Sequence, residues 1–361
     1  MNQDNIFVVI TTSNIAGSKF WPYSRENCPK PFLDLLGTGK SLLQNTYERA
    51  LDLCPQENIY VTMRTEFAYL VTTQLPMLNA SQLLLEPFRR NSAPPVAYAS
   101  YKIREKNPQA IIIVIPADHA VFGELAFIRD VQAAVAYVAE GDKLLALGIK
   151  PYKPETRYGY IQYLEDGTEE FIKKVKTFTE KPQPDLARLF VESGDFVWNT
   201  GMYVWHVNAI ISAFERYLPD VAEVFEQSRP HFFTDQESFF VYEAYSHCNS
   251  TPISYGILEK AENVFVLFGK FGWSSLYSWS ALHEMREKDV SQNVIEANTL
   301  MYNTSNCYIK AQRDKLVVVQ GLEGYLVADC DNVLLICPKE NEEHFRVFTT
   351  DAKAKKGEKY I

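Results

Sequence analysis

Small and basic residues follow the first apolar run of the chain in a pattern that suits phosphate binding. Residues 6–10 are apolar and mostly β-branched, and they lead into a loop that contains Gly17, Lys19 and, further on, Lys30. Gly17 can let a phosphate approach the backbone closely, while the two lysines can supply positive charge. Loops after buried parallel strands are where α/β folds hold nucleotide phosphates. The pattern therefore predicts a phosphate-binding loop, with an ordinary strand-to-loop junction as the alternative.

An aspartate stands just beyond another apolar run. Asp118 follows the aliphatic residues 110–115, at the carboxyl end of a predicted strand where it has no core partner. A carboxylate in that place can hold a cation against phosphates, and the alternative is a helix N-cap. His119 beside it is predicted to be structural, because a lone histidine at a helix start more often satisfies hydrogen bonds than binds metal.

A third polar segment separates a predicted strand from a predicted helix. Residues 86–94 read EPFRRNSAP. Their backbone amides and the side chain of Asn91 can meet a base or a phosphate at the helix start. The alternative is a capped helix start that carries two surface arginines.

Alternating apolar patterns predict the elements that position these residues. Strands and helices alternate up to residue 149, which predicts a parallel sheet with helices on both faces. Shorter strands follow residue 150, and after residue 291 short β-prone segments recur at short intervals, which predicts a small domain of stacked strands. The predicted strands are 6–10, 59–62, 82–85, 110–115, 144–149, 158–164, 174–180, 264–268, 306–310, 316–320, 324–329 and 333–337, and the main helices are 66–75, 93–105, 124–139, 185–192, 208–217 and 340–350.

Composition narrows the class of protein further. The chain has 361 residues, is 47% hydrophobic and carries a formal net charge of −9, so it can bury a full core but lacks the basic character of nucleic-acid-binding proteins. No apolar run approaches the roughly 20 residues that span a bilayer, and the amino terminus does not resemble a signal peptide. The six cysteines lack zinc-ligand spacing. We therefore expect a cytoplasmic protein with buried thiols and no nucleic-acid or membrane partner.

The loop after the first strand resembles a known signature. Residues 14–32 resemble the motif G-G-x-G-T-R-F-W-P-L-S-R-E-x-x-P-K-Q-F of the sugar-nucleotide pyrophosphorylases, in particular the mannose-1-phosphate guanylyltransferases. The segments FWP, SRE and PK match at residues 20–22, 24–26 and 29–30. Asn14 and Ile15 stand where the family has Gly-Gly, and Lys19 replaces an arginine.

Further segments extend the resemblance over almost the whole chain. EPFRRNSAP is similar to the family's E-P-x-G-R-N-T-A-P, and residues 116–119 match P-A-D-H. On the sugar side, residues 154–160, 178–182 and 198–203 are similar to P-E-T-[GA]-Y-G-Y, F-V-E-K-P and W-N-S-G-M-F, with Arg157 in place of a small residue. The resemblance implies catalytic roles for Lys19 and Lys30, nucleotide binding by Gly17, Ser18, Glu86, Arg90, Asn91 and Ala93, sugar-phosphate binding by Gly159, Glu180, Lys181 and Asn199, and magnesium binding by Asp118.

One motif departs from the family at its functional position. Residues 272–279, GWSSLYSW, are similar to G-W-S-D-V-G-S-W, whose aspartate is the family's second magnesium ligand. Ser275 takes the place of that aspartate, Tyr277 takes the place of a glycine, and Ser254 replaces an aspartate in a motif upstream. A serine holds Mg²⁺ far less well than a carboxylate does. We therefore expect Mg²⁺ binding to be weak or absent.

The resemblance also implies an architecture and a reaction. The expected fold is a Rossmann-like nucleotidyltransferase domain over residues 1–288, with a mixed, mainly parallel sheet and helices on both faces, followed by a small left-handed β-helix with a terminal helix over residues 289–361. The family reaction converts GTP and mannose-1-phosphate to GDP-mannose and pyrophosphate. Here we expect impaired or lost catalysis. The alternative is a silent paralogue that binds GTP or GDP-mannose as a regulator or partner subunit, as a homo-oligomer or in complex with an active relative.

Overall fold

The computed structural model describes residues 3–12, 17–165 and 171–361. The chain divides into two compact units. The first comprises Met1–Asn14 and Leu43–Trp273, and the second comprises Ile15–Leu42 and Ser274–Ile361. The second unit is thus built from two stretches that are far apart in the sequence. The domain boundary expected at residue 288 rests on resemblance and stays a prediction.

A nine-stranded sheet forms the centre of the first unit. Its order is β3-β2-β1-β4-β9-β6-β10-β8-β7, and the short strands β5 and β11 lie outside it. The strands are β1 (Ile6–Thr11), β2 (Ile59–Arg64), β3 (Leu83–Glu86), β4 (Ile111–Pro116), β5 (Ala120–Phe122), β6 (Leu144–Ile149), β7 (Gly159–Tyr163), β8 (Ile172–Glu180), β9 (Phe196–His206), β10 (Val264–Phe268) and β11 (Gly272–Ser274).

Strand directions show that this sheet is mixed. Within it, parallel pairs join β3, β2, β1 and β4, and also β6 and β10. The long strand β9 runs antiparallel to β4 and β6 and also pairs antiparallel with β7, and β8 is antiparallel to both β7 and β10. The expected mixed sheet is thus confirmed, although the alternation of strands and helices up to residue 149 did not indicate strand β9. The Asn199-Thr200-Gly201 segment in the middle of β9 is typical of a turn rather than of a strand.

Helices cover the sheet of the first unit. The inner residues of β1 are buried without exception, as expected for a strand with both faces covered. Tyr98 stacks on Phe225 with ring centroids 6.0 Å apart, and Trp205 of β9 is fully buried in the same core. The helices are α1 (Leu42–Leu51), α2 (Ala68–Gln74), α3 (Ala93–Lys106), α4 (Glu124–Val138), α5 (Pro184–Ser193), α6 (Val207–Tyr217), α7 (Pro219–Ser228) and α8 (Glu237–His247).

Stacked strands form much of the second unit. Strand β12 pairs in parallel with β14, β14 with β16, and β13 with β15, whereas β17 pairs with β16 in the antiparallel direction. Cys307, Ile309, Val319 and Val327 form the core of this stack. Parallel stacking agrees with the expected β-helix, whose handedness stays a prediction. The elements are α9 (Trp279–Met285), β12 (Val294–Glu296), β13 (Asn298–Tyr302), β14 (Tyr308–Lys310), β15 (Leu316–Gln320), β16 (Tyr325–Cys330), β17 (Val333–Pro338) and α10 (Phe345–Lys356).

Hydrogen bonds join the two stretches of the second unit. The indole nitrogen of Trp21 donates to the carbonyl oxygen of Tyr360 at 2.8 Å. The guanidinium of Arg25, which is buried, donates to the carbonyl oxygen of Cys330 and to Asn332 Oδ1, both at 3.1 Å. The segment that resembles the family signature is therefore held by the last residues of the chain.

Two charged groups lie inside the second unit. The ammonium of Lys339 is buried and donates to Asn306 Oδ1 at 2.9 Å. Burial lowers the pKa of Lys339 to about 8. The carboxylate of Glu296 has three partners, Lys310 at 2.7 Å, Arg286 at 2.8 Å and the hydroxyl of Tyr308 at 2.6 Å. Burial alone would raise the pKa of Glu296, but these partners lower it below its usual value.

Two expectations from composition can be compared with the structure. All six cysteines are free thiols, and all but Cys28 are buried. Within the part of the chain that the structure describes, no helix is both long enough and apolar enough to cross a bilayer.

Candidate functional site

Three of the residues assigned to sugar-phosphate binding lie in one row across three strands of the first unit. Gly159 opens β7 and is opposite Glu180 on β8 and Asn199 on β9. A Cβ atom at Gly159 would lie 3.2 Å from Glu180 Oε1, so a larger residue there would press on the carboxylate. The strand register thus brings together residues that are 21 and 40 positions apart from Gly159 in the sequence.

Hydrogen bonds orient the side chains of this row. Ser254 Oγ donates to Glu180 Oε1 at 3.3 Å, and Asn199 Nδ2 donates to the hydroxyl oxygen of Tyr203 at 3.3 Å. Asn199 Oδ1 also accepts from the amide of Gly201 at 3.0 Å. Burial raises the pKa of the Tyr203 hydroxyl, so this group stays protonated as a potential hydrogen-bond donor. Carboxylate and amide groups held in this way suit the hydroxyl groups of a sugar.

Lys181 follows Glu180 directly. It is exposed and adopts a left-handed backbone conformation with φ of 44°, which is uncommon for a residue other than glycine. A lysine at the end of β8 can place positive charge near the row without entering the core.

The loop assigned to the nucleotide uses much of its hydrogen-bonding capacity within the protein. The amide of Ser92 donates to Asn91 Oδ1 at 3.0 Å, and the amide of Ala93 donates to the carbonyl oxygen of Thr251 at 3.0 Å. Arg90 Nε donates to the carbonyl oxygen of Tyr245 at 3.1 Å, near the end of α8. The side chain of Glu86 is buried. Ser92 at the N-cap position of α3 makes no side-chain capping bond, so these contacts tie the loop to neighbouring segments, and the nucleotide-binding role of the loop stays a prediction.

Segment 251–254 contacts two parts of the candidate site. One is the loop of residues 86–94 assigned to the nucleotide, and the other is the row of Gly159, Glu180 and Asn199, called the sugar row below. The amide of Ile253 donates to Ser92 Oγ at 3.0 Å, while Ser254 Oγ contacts Glu180 as described above. In the sequence, Ser254 stands out only as a departure from the family motif. That family motif is the sequence signal from which Ser254 could have been assigned to the site.

Asp118 follows β4, as predicted, and has an imidazole beside it. His119 Nε2 lies 3.6 Å from Asp118 Oδ1, and the side chains of Asp118 and His119 are 23% and 14% exposed. The indole nitrogen of Trp273 donates to His119 Nδ1 at 3.3 Å. His119 therefore makes structural contacts, as its sequence position predicts, and one of them reaches toward the expected magnesium ligand.

The signature segment lies in the second unit. Gly17 to Phe20 form one short helical turn, in which Lys19 is exposed. Asn14 and Ile15, which replace the family's Gly-Gly, lie outside the described residues, as does the side chain of Ser18. Lys30 Nζ donates to the carbonyl oxygens of Ser275 at 2.7 Å and Leu276 at 3.1 Å. Both lysines thus belong to the second unit, which also contains the turn around Ser275 where the sequence departs from the family motif, called the altered turn below.

The altered turn itself is tight. Ser274 Oγ accepts from the amide of Leu276 at 3.1 Å, and Leu276 is buried with φ of 45°. The left-handed residue is Leu276, not Tyr277, so the backbone here does not require a glycine at position 277. Ser275 is partly exposed and offers a hydroxyl group where the family has a carboxylate.

The donor set gives only partial support for a magnesium site. Among residues 3–12, 17–165 and 171–361, no cluster of three or more histidine, cysteine, aspartate or glutamate side chains could hold a metal. Mg²⁺ usually keeps several waters and needs only one or two protein carboxylates when phosphates supply further oxygens. Asp118 can supply one carboxylate, and Ser275 does not supply a second.

The fold and these side chains define a nucleotidyltransferase. The model of the family described as "Nucleotidyl transferase" matches residues 16–292, and the chain belongs to this family.

Two curated relatives indicate which members of this family the chain is similar to. A mannose-1-phosphate guanylyltransferase of Escherichia coli is 31% identical over 354 residues, which cover 96% of this chain and 75% of the relative. Another from Salmonella montevideo is 34% identical over 328 residues, or 89% of this chain and 68% of the relative. They confirm the resemblance to the mannose-1-phosphate guanylyltransferases.

A solved structure supports the same conclusion over nearly the full chain. The crystal structure described as a mannose-1-phosphate geranyltransferase from Thermus thermophilus has a TM-score of 0.86 and 29% identity. The match covers 97% of this chain and 99% of that one.

Proposed function

We propose that this chain binds GTP or GDP-mannose, and mannose-1-phosphate, as members of its family do, while its guanylyl transfer is impaired or lost. The observation that carries the proposal is the turn around Ser275. Its side chain is neutral, and its carbonyl oxygen accepts a hydrogen bond from Lys30 at 2.7 Å. The family's second magnesium ligand has no replacement in this turn.

The sugar row supports the binding part of the proposal. Glu180 and Asn199 stand opposite Gly159 on neighbouring strands, and both side chains are held by hydrogen bonds. A site that had lost all function would not need Gly159 to leave room for the Glu180 carboxylate. We propose that this row holds the sugar hydroxyl groups and that Lys181 faces the sugar phosphate.

The physical chemistry of the reaction supports the catalytic part. In the family reaction the sugar phosphate attacks the α-phosphorus of GTP in line, and pyrophosphate leaves. Catalysis of phosphoryl and nucleotidyl transfer is mostly positioning and charge stabilisation. If the missing carboxylate and the replaced arginine at Lys19 each cost about 3 kcal/mol, the combined loss is about 6 kcal/mol, or on the order of 10⁴ in rate. Asp118 would still hold a Mg²⁺ ion that arrives with phosphates, but weakly.

A second candidate is a silent paralogue that acts as a regulator or as a partner subunit. The retained sugar row together with the neutral Ser275 favours it, because binding without turnover is what a regulatory subunit requires. We propose in addition that the chain is cytoplasmic, that it forms homo-oligomers or a complex with an active relative, and that the strand stack of the second unit is a left-handed β-helix.

Two measurements on the same preparation test the proposal. Coupled detection of pyrophosphate from GTP and mannose-1-phosphate should give a rate near background, and calorimetry should detect GDP-mannose binding. Glu180→Gln should weaken that binding by at least about tenfold, because hydrogen bonds to charged groups contribute roughly 1.5–3 kcal/mol. Glu140→Gln is the matched control, since Glu140 is exposed and is not one of the residues of the row.

The outcomes separate the two parts. A turnover of about 1 per second or more, which is ordinary for an enzyme, would show that catalysis is intact. Lack of GDP-mannose binding would refute the proposal that the chain binds the nucleotide sugar. Equal effects of Glu180→Gln and Glu140→Gln on that binding would refute the proposed role of Glu180.

A further inference from the structure

Ser254 contacts the sugar row from a buried position in the first unit. The residue is buried, and its Oγ atom donates a hydrogen bond to Glu180 Oε1 at 3.3 Å. Glu180 itself is exposed at the end of β8. A long exposed side chain has several rotamers to choose from, and a donor that is held in the interior restricts that choice. The bond therefore limits where the Glu180 carboxylate can lie.

Hydrogen bonds hold the residues before this serine in place. The amide of Thr251 donates to the carbonyl oxygen of Arg90 at 3.2 Å, and the amide of Ala93 donates to the carbonyl oxygen of Thr251 at 3.0 Å. The amide of Ile253 donates to Ser92 Oγ at 3.0 Å. The chain therefore reaches the serine from a fixed direction.

The residues after this serine are fixed as well. Ser254 begins a short π-helix that ends at Leu258, and its carbonyl oxygen accepts from the amide of Glu259 at 2.8 Å. A Cβ atom at Gly256 would lie 2.8 Å from Leu218 Cδ1, so the turn packs closely against its neighbour. Turns of π-helix are rare and frequently lie at functional sites. The hydroxyl group of Ser254 is thus presented by a backbone that is held on both sides.

The second oxygen of the Glu180 carboxylate has a different environment. In the part of the chain that the structure describes, Ser254 donates to Oε1, and no group donates a hydrogen bond to Oε2. Gly159 lies opposite and has no side chain, although a Cβ atom there would lie 3.3 Å from Oε2. An ionised carboxylate can only accept, so Oε2 suits a hydroxyl group that donates.

This arrangement differs from the one that the family motif would give. The motif has an aspartate where this chain has Ser254. An ionised aspartate cannot donate a hydrogen bond to a second carboxylate, whereas a serine hydroxyl can. The bond between Ser254 and Glu180 is therefore a feature of this chain and not of the motif.

We infer that Ser254 is a positioning residue for Glu180, and that it contributes to recognition of the sugar but not of the nucleotide. Ser254 holds Glu180 Oε1, and Oε2 accepts a hydrogen bond from a sugar hydroxyl group. This inference rests on the proposed function, in which the sugar row binds the sugar, and it adds a residue behind that row. A side chain that is fixed before binding loses less conformational freedom when the ligand arrives.

Calorimetry with two ligands tests this role, because GDP-mannose contains the sugar and GDP does not. Ser254→Ala should weaken GDP-mannose binding by about three- to tenfold and change GDP binding by less than about twofold. Ser100→Ala is the matched control and should change neither affinity by more than about twofold. Ser100 is also buried, and its Oγ atom donates to the carbonyl oxygen of Val96 within α3, at 2.7 Å.

A double substitution tests whether Ser254 acts through Glu180. Glu180→Ala removes the carboxylate that the serine would position. In that background Ser254→Ala should change GDP-mannose binding by less than about twofold, because two residues that act through one contact have non-additive effects. An equal loss of affinity with and without Glu180 would show that the serine acts independently, and it would overturn the inference.

The remaining outcomes separate the inference from the proposed function. If Ser254→Ala binds GDP-mannose as tightly as the unmutated protein does, the inference is wrong and the proposed function stands. Equal losses of GDP and GDP-mannose affinity in Ser254→Ala would also overturn the inference, because they would show a general disturbance of the fold. If the unmutated protein does not bind GDP-mannose, the proposed function fails and the inference fails with it.

Discussion

Replacement of the buried Lys339 by methionine should stabilise the protein at neutral pH. The Lys339 ammonium is buried, and it donates a hydrogen bond to Asn306. Burial lowers the pKa of Lys339 from 10.5 to about 8. At about 1.36 kcal/mol for each pKa unit, this difference corresponds to a cost of about 3 kcal/mol for keeping the charged form in the folded state.

The pH dependence of this cost follows from linkage. Below pH 8 the lysine is protonated in both the folded and the unfolded chain, and the folded chain bears the full cost. Between pH 8 and 10.5 the folded chain loses its proton first, so the cost declines, and above 10.5 it is absent. The free energy of unfolding of the unmutated protein should therefore rise, relative to Lys339→Met, as the pH increases through this window.

Urea unfolding at pH 7.5 and pH 10 measures both effects. Lys339→Met should be more stable than the parent by about 1–3 kcal/mol at pH 7.5, since the lost hydrogen bond to Asn306 offsets about 1 kcal/mol of the gain. The difference should narrow by about 2 kcal/mol at pH 10. Lys356→Met is the matched control, because Lys356 is exposed on α10 and should give no such change. A difference that is the same at both pH values, or a variant that is less stable at pH 7.5, would refute the reasoning.

Three more predictions concern catalysis, packing and acid stability. Ser275→Asp alone should raise guanylyl transfer by less than about tenfold, whereas its combination with Asn14→Gly, Ile15→Gly and Lys19→Arg should raise it by about 100-fold or more in the pyrophosphate assay, because the parts of one site act together. Gly148→Ala should lower the free energy of unfolding by about 1–3 kcal/mol, since its Cβ atom would lie 2.4 Å from Val197 Cγ2 and a well-packed core resists added atoms. Glu296→Gln should lower the free energy of unfolding at pH 7, because the lowered pKa of Glu296 stabilises the fold above the usual pKa of the carboxyl group. That contribution disappears as the pH falls through the lowered pKa, so the variant should lose less stability than the parent on acidification.

The sequence predicted the elements whose apolar runs are continuous. The bounds expected for β6, β10 and β15 are those observed, because their short, mostly apolar runs favour buried strands. Strand β9 was missed because its middle resembles a turn, and its place between β4 and β6 depends on pairing with residues 49 to 95 positions away. Such long-range pairing overrides local propensity.

The candidate site was predictable in its residues but not in its contacts. Resemblance supplied Gly159, Glu180 and Asn199, yet only the strand register shows that they form a row. The bond from Lys30 to the backbone of the altered turn joins residues about 245 positions apart, and no local pattern predicts it. The left-handed conformation of Leu276 was hidden for a similar reason, since a buried leucine is not a residue type that signals positive φ.

The discontinuous second unit has a consequence for the protein as it is synthesised. Residues 15–42 leave the ribosome about 230 residues before Ser274, where the other stretch of this unit begins. At about 5–20 residues per second, that gap corresponds to roughly 10–50 s of translation. During this interval Trp21 lacks its acceptor at Tyr360, and Arg25 lacks the carbonyl oxygen of Cys330. The segment that resembles the family signature is thus synthesised well before the residues that hold it in the folded protein.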